Sequence, residues 1–365
     1  MLLAIFPFLT SLILTFLSVP SIVRIAEKKH LFDVPDERKL HKHSIPTMGG
    51  VAIFAGMIFS LTFWSTQKEI VDLQYIISSI MILFFMGIKD DLINVRAYKK
   101  LIVQLAASFI LVHWADIRIT SFFGLFGFND LNIVFSYIFS MFTMVVITNA
   151  FNLIDGVDTL GASVGVFSGL VFGAWFLRAE SFQYVVLSFS MVGSLIGFLY
   201  YNRSPAKIFM GDTGSLIIGI TLSILAIKFI EANRVLSLDT TYKIKGVPVF
   251  TMGVLLIPLF DTLRVFSIRL LQGRSPFSPD RNHLHHLLID LGFSHHQTVM
   301  ALISYNALIL VGIYFAQGFR SELVLVITLS CCLITTYVLA LTRNKMIKNG
   351  TLSVLAKKMD SRKSL

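Results

Sequence analysis

The chain has 365 residues, of which 55% are hydrophobic and 14% charged, and its mean hydropathy is +0.77. A water-soluble domain carries about 25% charged residues, so this composition excludes an ordinary soluble enzyme and assigns the chain to a bilayer. The net charge of +10, from 31 Lys and Arg against 21 Asp and Glu, fits an anionic membrane leaflet rather than a nucleic acid.

Eleven uncharged runs follow one another along the chain: 1–23, 44–67, 73–88, 101–115, 131–154, 159–177, 181–202, 213–227, 246–260, 291–319 and 323–342. The shortest have 15 or 16 residues, a little under the roughly 17 to 25 needed to cross, but flanking Lys and Arg can snorkel to the interface. The expected fold is therefore all-α, a polytopic membrane protein with about eleven transmembrane helices. The first run lacks a basic leader and a small-residue cleavage site before "SVPSIVRIAEKKH", so it reads as a helix rather than a signal peptide. Cys331 and Cys332 are adjacent in the last run and read as small apolar residues. There is no internal repeat and no Pro/Gly/Ser-rich linker. Residues 1–342 are expected to form one transmembrane catalytic domain, and 343–365 a basic tail.

Orientation follows from the Lys and Arg bias. With the N-terminus outside, 23 of the 31 basic residues fall on the cytoplasmic side, in segments 24–48, 89–100, 149–158, 202–213 and 261–298 and in the tail. Those five segments also hold every polar motif. A transporter or lipid flippase, the rival class, places ionisable groups near the midplane and is often built from an inverted duplication, neither of which the sequence shows. One-sided chemistry at a membrane surface is the better reading.

The motifs, in chain order, begin with "IPTMGG" and "KDDLINVRAYKK". Neighbours on a helix point about 100° apart, so Asp90 and Asp91 are expected to do two different jobs. In "NAFNLIDGVDTLG", Asn149, Asn152, Asp155 and Asp158 recur every three residues, which stacks them on one face of a continued helix. No Lys or Arg accompanies these oxygens, so a cation has to come from elsewhere, and oxygen-only ligands suit Mg2+. "IFMGDTGS" offers Asp212 between two glycines at a helix start, where free backbone N–H groups would make a phosphate site. "SPDRNHLHH" offers Arg281, His283, His285 and His286. Zinc is disfavoured there, because no Cys accompanies them and the spacing is not that of a helical ligand pair; donors to a diphosphate fit better.

Together these motifs, over residues 33–290 and in this order, resemble the polyprenyl-phosphate N-acetylhexosamine-1-phosphate transferases. "DRNHLHH" resembles the N-acetylglucosamine-1-phosphate branch, which starts O-antigen, enterobacterial common antigen and teichoic-acid linkage synthesis. The sister branch, phospho-N-acetylmuramoyl-pentapeptide transferase, carries a triple-histidine run that is missing here and is the alternative within the class.

The resemblance implies a multi-pass enzyme of the bacterial cytoplasmic membrane, with its active site facing the cytoplasm. A lipid phosphate, undecaprenyl phosphate or a similar polyprenyl phosphate, would attack the β-phosphorus of a UDP-N-acetylhexosamine and release UMP. By the same resemblance Asp212 and Asn152 hold Mg2+, with Mn2+ the alternative, and Lys100 holds the prenyl phosphate. Asp90 or Asp91 positions or deprotonates that phosphate. Lys42, Thr47, Asn149, Asp155 and Asp158 line the nucleotide side, with Phe209 stacked on uracil. Arg281, His283, His285 and His286 face the diphosphate and the N-acetyl sugar, His283 being the catalytic candidate among them. Where many relatives have a third acidic residue after the aspartate pair, this chain has Asn94. A homodimer is the candidate assembly.

Overall fold

A computed structural model describes residues 2–33, 45–65, 72–237, 239–275 and 282–349. Among them the chain forms thirteen α-helices: α1 (Leu2–Lys28), α2 (Gly49–Trp64), α3 (Leu73–Ile93), α4 (Ala97–His113), α5 (Ile133–Ile154), α6 (Leu160–Arg178), α7 (Phe182–Asn202), α8 (Gly211–Val235), α9 (Val247–Val254), α10 (Leu256–Leu271), α11 (Leu284–Asp290), α12 (His295–Phe315) and α13 (Ser321–Lys348). A two-residue antiparallel ladder, β1 (Phe32–Asp33) with β2 (Ile45–Pro46), precedes α2.

Every apolar run expected from the sequence contains helix, but the count of crossings differs. Seven helices are long and apolar enough to cross a bilayer, or eight if α9 and α10 make one broken span. The helices α2 and α4, with 16 and 17 residues, are short, and α3 closes on Lys89, Asp90 and Asp91. The ninth run is not a straight helix. It breaks at Leu255 and turns by 84°, because Pro258 has no N–H to give the carbonyl of Val254 and its ring would collide with that carbonyl in a continuous helix. Beyond the break, α10 is two-sided, with Asp261 and Arg269 buried and Leu263 and Leu270 exposed.

The centre of the bundle is α8, whose apolar window is 94% buried, against 17% for α13. Helices in lipid gain little from apolar burial against one another and associate by close backbone approach instead. Glycines supply that approach on three sides of α8. A Cβ on Gly87 of α3 would lie 2.3 Å from Thr213 Cα, one on Gly50 of α2 would lie 2.2 Å from the Gly214 nitrogen, and one on Gly219 would lie 2.7 Å from Thr148 Cα of α5. Hydroxyls join α1, α2 and α7: Ser60 donates to the Pro7 carbonyl at 2.7 Å and Ser190 to Ser60 at 2.9 Å. At the end of α8 remote from Asp212, Glu231 accepts from the Thr120 N–H and hydroxyl, and Arg234 pairs with Asp130, pinning the 115–132 loop. The peripheral α13 reaches back through Arg343, which pairs with Asp290 of α11 at 2.9 Å.

Gly87→Ala tests the backbone contact between α3 and α8. Overpacking of this kind costs about 1 to 3 kcal/mol, so the variant is expected to unfold several degrees below the parent in a detergent thermal-shift measurement, whereas Gly312→Ala, with nothing within 4 Å of its added Cβ, leaves the midpoint unchanged.

Candidate active site

All the described polar motifs meet in one cavity of about 380 Å3 at a single end of the bundle. Thr47, Asp90, Asp91, Asn94, Asn152, Asp155, Asp158, Phe209, Asp212 and His286 line it, joined by Asn202, Ser215 and His295. Lys42 and Arg281 lie outside the described residues.

The two adjacent aspartates point to different tasks. Asp91 accepts from the backbone N–H of Asp212 at 2.7 Å, from that of Thr213 at 3.1 Å and from the Thr213 hydroxyl at 2.5 Å. It caps the first turn of α8 from a neighbouring helix. The free helix-terminus donors expected from the sequence are therefore already satisfied at these two positions, which corrects the phosphate site envisaged there. Gly211 makes the approach attainable: its φ is +69°, and a Cβ would stand 2.4 Å from the Thr47 carbonyl oxygen and 2.7 Å from the Asp91 carboxylate. Asp90 instead pairs with Lys100 and accepts from the Val95 N–H at 2.6 Å.

Lys100 lies in the first turn of α4 and also reaches Asp212 Oδ2 at 2.6 Å, so one ammonium spans two carboxylates from α3 and α8. Beside them Asn152 donates to the Ser215 hydroxyl at 2.8 Å. Asn149 is placed elsewhere. Its amide exchanges hydrogen bonds with Gln104 of α4 at 2.7 and 3.3 Å, tying α5 to α4 one turn beyond Lys100, and it does not line the cavity.

The loop after α5 carries Asp155 and Asp158 to the opposite wall. Burial, then the charges of Asp212, Asp158 and Asp91, push the Asp155 carboxyl well above the usual carboxylate range. The loop is held by Asn202, which accepts from the Thr159 N–H at 2.7 Å and donates to the Ile208 carbonyl at 2.8 Å. Asp158 accepts from His295 Nδ1 at 3.0 Å. On the third wall, strand β2 and the 209–210 segment share backbone bonds, Phe209 N–H to Pro46 and Gly49 N–H to Phe209, which brings Thr47 beside Phe209.

Of the three motif histidines only His286 lines the cavity. His283 and His285 are buried and stacked, with ring centroids 5.6 Å apart and planes within 3°. His283 Nδ1 faces Asp261 Oδ2 at 2.9 Å, while Asp261 also accepts from the Leu284 N–H and from Arg264. His285 lies against the backbone of the 155–158 loop, since a Cβ on Gly156 would meet its Nε2 at 2.9 Å. Burial, and then the neighbouring His286, push the His285 imidazole down to about 3, so it is a neutral ring near pH 7 and offers an N–H rather than a charge.

Asp261, Asn202, Ser215 and His295 were not reached by motif reading. Asp261 had a signal, because it is the carboxylate on which the apolar run 246–260 ends. Nothing in the sequence ties His295 to Asp158, 137 residues earlier.

The donors fit a hard divalent cation in kind: Asp212 and Asn152 supply oxygens, and the surrounding carboxylates leave an excess of negative charge. Among the described residues no group of three His, Cys, Asp or Glu side chains converges as a ready metal cage, so substrate oxygens and water would complete the shell.

Several helices that bring acidic and amide side chains to one cavity at the end of an apolar bundle define a multi-pass membrane protein with an enzyme-like site. The family model for glycosyl transferase family 4 matches residues 73–230. A probable undecaprenyl-phosphate N-acetylglucosaminyl 1-phosphate transferase of Bacillus subtilis (strain 168) is 32% identical over 296 residues, covering 81% of this chain and 80% of the relative. Undecaprenyl-phosphate alpha-N-acetylglucosaminyl 1-phosphate transferases of Escherichia coli O157:H7 and Salmonella typhi are 30% and 32% identical, covering 78% and 80% of this chain and 76% and 77% of their own lengths. The chain belongs to glycosyl transferase family 4.

Asp91→Asn replaces an acceptor by an amide whose NH2 meets the N–H groups of α8. Breaking a part-buried charged hydrogen bond of this kind costs about 1.5 to 3 kcal/mol, so the variant is expected to melt lower than the parent in a thermal-shift assay.

Proposed function

We propose that the chain transfers N-acetylglucosamine 1-phosphate, or a close N-acetylhexosamine 1-phosphate, from its UDP-sugar to undecaprenyl phosphate, releasing UMP and starting a cell-surface polysaccharide. The observation that carries this is the Asp90–Lys100–Asp212 bridge opening on the same cavity as Asn152, Asp155, Asp158 and Phe209. On this reading Lys100 serves the lipid phosphate, and Asp155 and Asp158 serve the nucleotide side. The named relatives support the same reading.

The lipid phosphate oxygen forms a bond to the β-phosphorus of the UDP-sugar, and the bond from that phosphorus to the bridging oxygen breaks, so that UMP leaves with the electron pair. A divalent cation held by Asp212 and Asn152, Mg2+ in this proposal, supplies charge neutralisation at the diphosphate when bound. Lys100 sits between exposed Leu101 and Ile102 of α4 and the cavity, the position from which a long side chain can hold a prenyl headgroup at the lipid boundary. Asp90 orients the Lys100 ammonium and accepts a proton from any monoprotonated lipid phosphate. Asp91 keeps α8 in register, so that Asp212 stays at the cavity wall. Phe209 and Thr47 offer a face and a hydroxyl to the uridine, and His286 offers an imidazole to the diphosphate.

The same proposal sets the protein in the bacterial inner membrane with about eleven membrane-embedded segments, the N-terminus outside and the site facing the cytoplasm, on the strength of the Lys and Arg bias. Single cysteines at positions 203 and 349 are expected to react with an impermeant maleimide only from the cytoplasmic side, and one at 126 only from outside. Reaction of position 203 from outside would overturn the orientation.

The activity is tested with purified protein, undecaprenyl phosphate, Mg2+ and either UDP-N-acetylglucosamine or UDP-N-acetylmuramoyl-pentapeptide, with UMP as the readout. Turnover is expected with the first donor. Asp212→Asn should remove Mg2+-dependent UMP release with the fold intact; residual activity above about a tenth, a loss below about 1.4 kcal/mol, would be too small for a metal ligand.

A further inference from the structure

Five carboxylates line the cavity, those of Asp90, Asp91, Asp155, Asp158 and Asp212, and among the described residues no Lys or Arg lines it with them. Among the described residues, the uncharged groups that this lining offers to the ribose and uracil of a nucleoside diphosphate sugar are amides, hydroxyls, backbone groups and imidazoles. Two imidazoles line the cavity, His286 and His295. His286 belongs to the histidine motif. His295 does not: it opens α12.

The geometry gives His295 a fixed place. Its Nδ1 is 3.0 Å from Asp158 Oδ2. An ionised carboxylate can only accept, so Nδ1 carries the hydrogen, and in that tautomer Nε2 is an acceptor, suited to a hydroxyl or ring N–H of a ligand rather than to a phosphate oxygen. Both partners are held from behind. His295 follows a capping box in which the Gln297 N–H donates to the Ser294 hydroxyl and the Ser294 N–H to the Gln297 side chain, at 3.2 and 2.9 Å. Asp158 precedes Thr159, whose N–H is tied to Asn202 at 2.7 Å. The pair therefore joins α12 to the loop after α5 across the cavity. Lys100, by contrast, is flanked on α4 by exposed Leu101 and Ile102, which is where an acyl chain would lie, whereas the residue after His295 is an exposed histidine.

We propose that His295 is a nucleotide-binding residue of this site, paired through Nδ1 with Asp158 and presenting Nε2 as an acceptor to a ribose hydroxyl or the uracil N–H of the sugar nucleotide. The proposal rests on the reading of the cavity as a UDP-sugar site. The histidine contributes affinity for the donor substrate, not for the lipid.

The test is equilibrium binding of UMP to the purified, Mg2+-supplemented protein, followed by steady-state kinetics with each substrate varied in turn. In His295→Ala, UMP affinity is expected to fall about fivefold and the KM for UDP-N-acetylglucosamine to rise by a similar factor, the loss of one hydrogen bond between uncharged groups. The kcat and the KM for undecaprenyl phosphate should stay within about twofold. His295→Asn keeps a donor where Nδ1 lies but has no counterpart of Nε2, so it should bind UMP as weakly as the alanine variant. Full recovery of UMP affinity in His295→Asn would overturn the direct contact and leave only a hold on Asp158. Unchanged UMP affinity in His295→Ala, or equal losses for both substrates, would overturn the proposal outright. Should His295→Ala fail to fold, the asparagine variant decides by the same criteria. A parent protein that neither binds UMP nor consumes the UDP-sugar would sink the functional reading itself and this proposal with it, and that result is seen before any variant is made.

Discussion

Asp91 reaches from the end of α3 to the first turn of α8 and takes three hydrogen bonds there, and the placement of everything else at the site follows from it. A helix that starts inside a membrane protein has N–H groups with no partner in its own chain direction. Here a carboxylate one helix away satisfies two of them and sits at the positive end of the peptide dipoles. The arrangement needs Gly211 in a left-handed conformation and Gly87 under Thr213, because side chains at either point would push the two backbones apart. Asp212 is thereby turned toward Lys100 and Asn152.

The site is an electrostatic problem only half solved by the protein. Five carboxylates share one cavity, and among the described residues the Lys100 ammonium bridges Asp90 and Asp212. Like charges this close raise one another's protonation, as Asp155 registers. A divalent cation would relieve part of that repulsion and let a phosphate approach carboxylates that would otherwise repel it. On this view the helices hold the acidic groups together against their own charge by close backbone packing, and the ligands complete the balance.

Much of this was legible in the sequence because membrane proteins concentrate their information. An uncharged run has to be helix in lipid, so all eleven runs contain helix, and a polar cluster at the end of such a run is costly enough to be meaningful. The separate duties of Asp90 and Asp91 followed from helix geometry alone. What could not be read were contacts set by tertiary structure. Asn149 shares the three-residue period of Asn152 and Asp155, yet Gln104 lies across from it and takes its amide. His283 and His285 sit behind the cavity because Asp261, 22 positions earlier on α10, draws the first of them inward. The break before α10 was missed because an apolar run records hydropathy and not direction, although Pro258 marked the spot. His295 had no local pattern to betray it.

The outermost helix has a further consequence. At 28 residues and about 1.5 Å of rise each, α13 is roughly 42 Å long, well over the roughly 30 Å of a hydrocarbon core, so it must tilt or protrude by an amount that the lipids decide. Little of it is gripped by the rest of the bundle, but Arg343 near its end holds Asp290, the last residue of the short helix that carries His285 and His286. The tilt that the bilayer imposes on α13 is thus set one ion pair away from the short helix of the histidines.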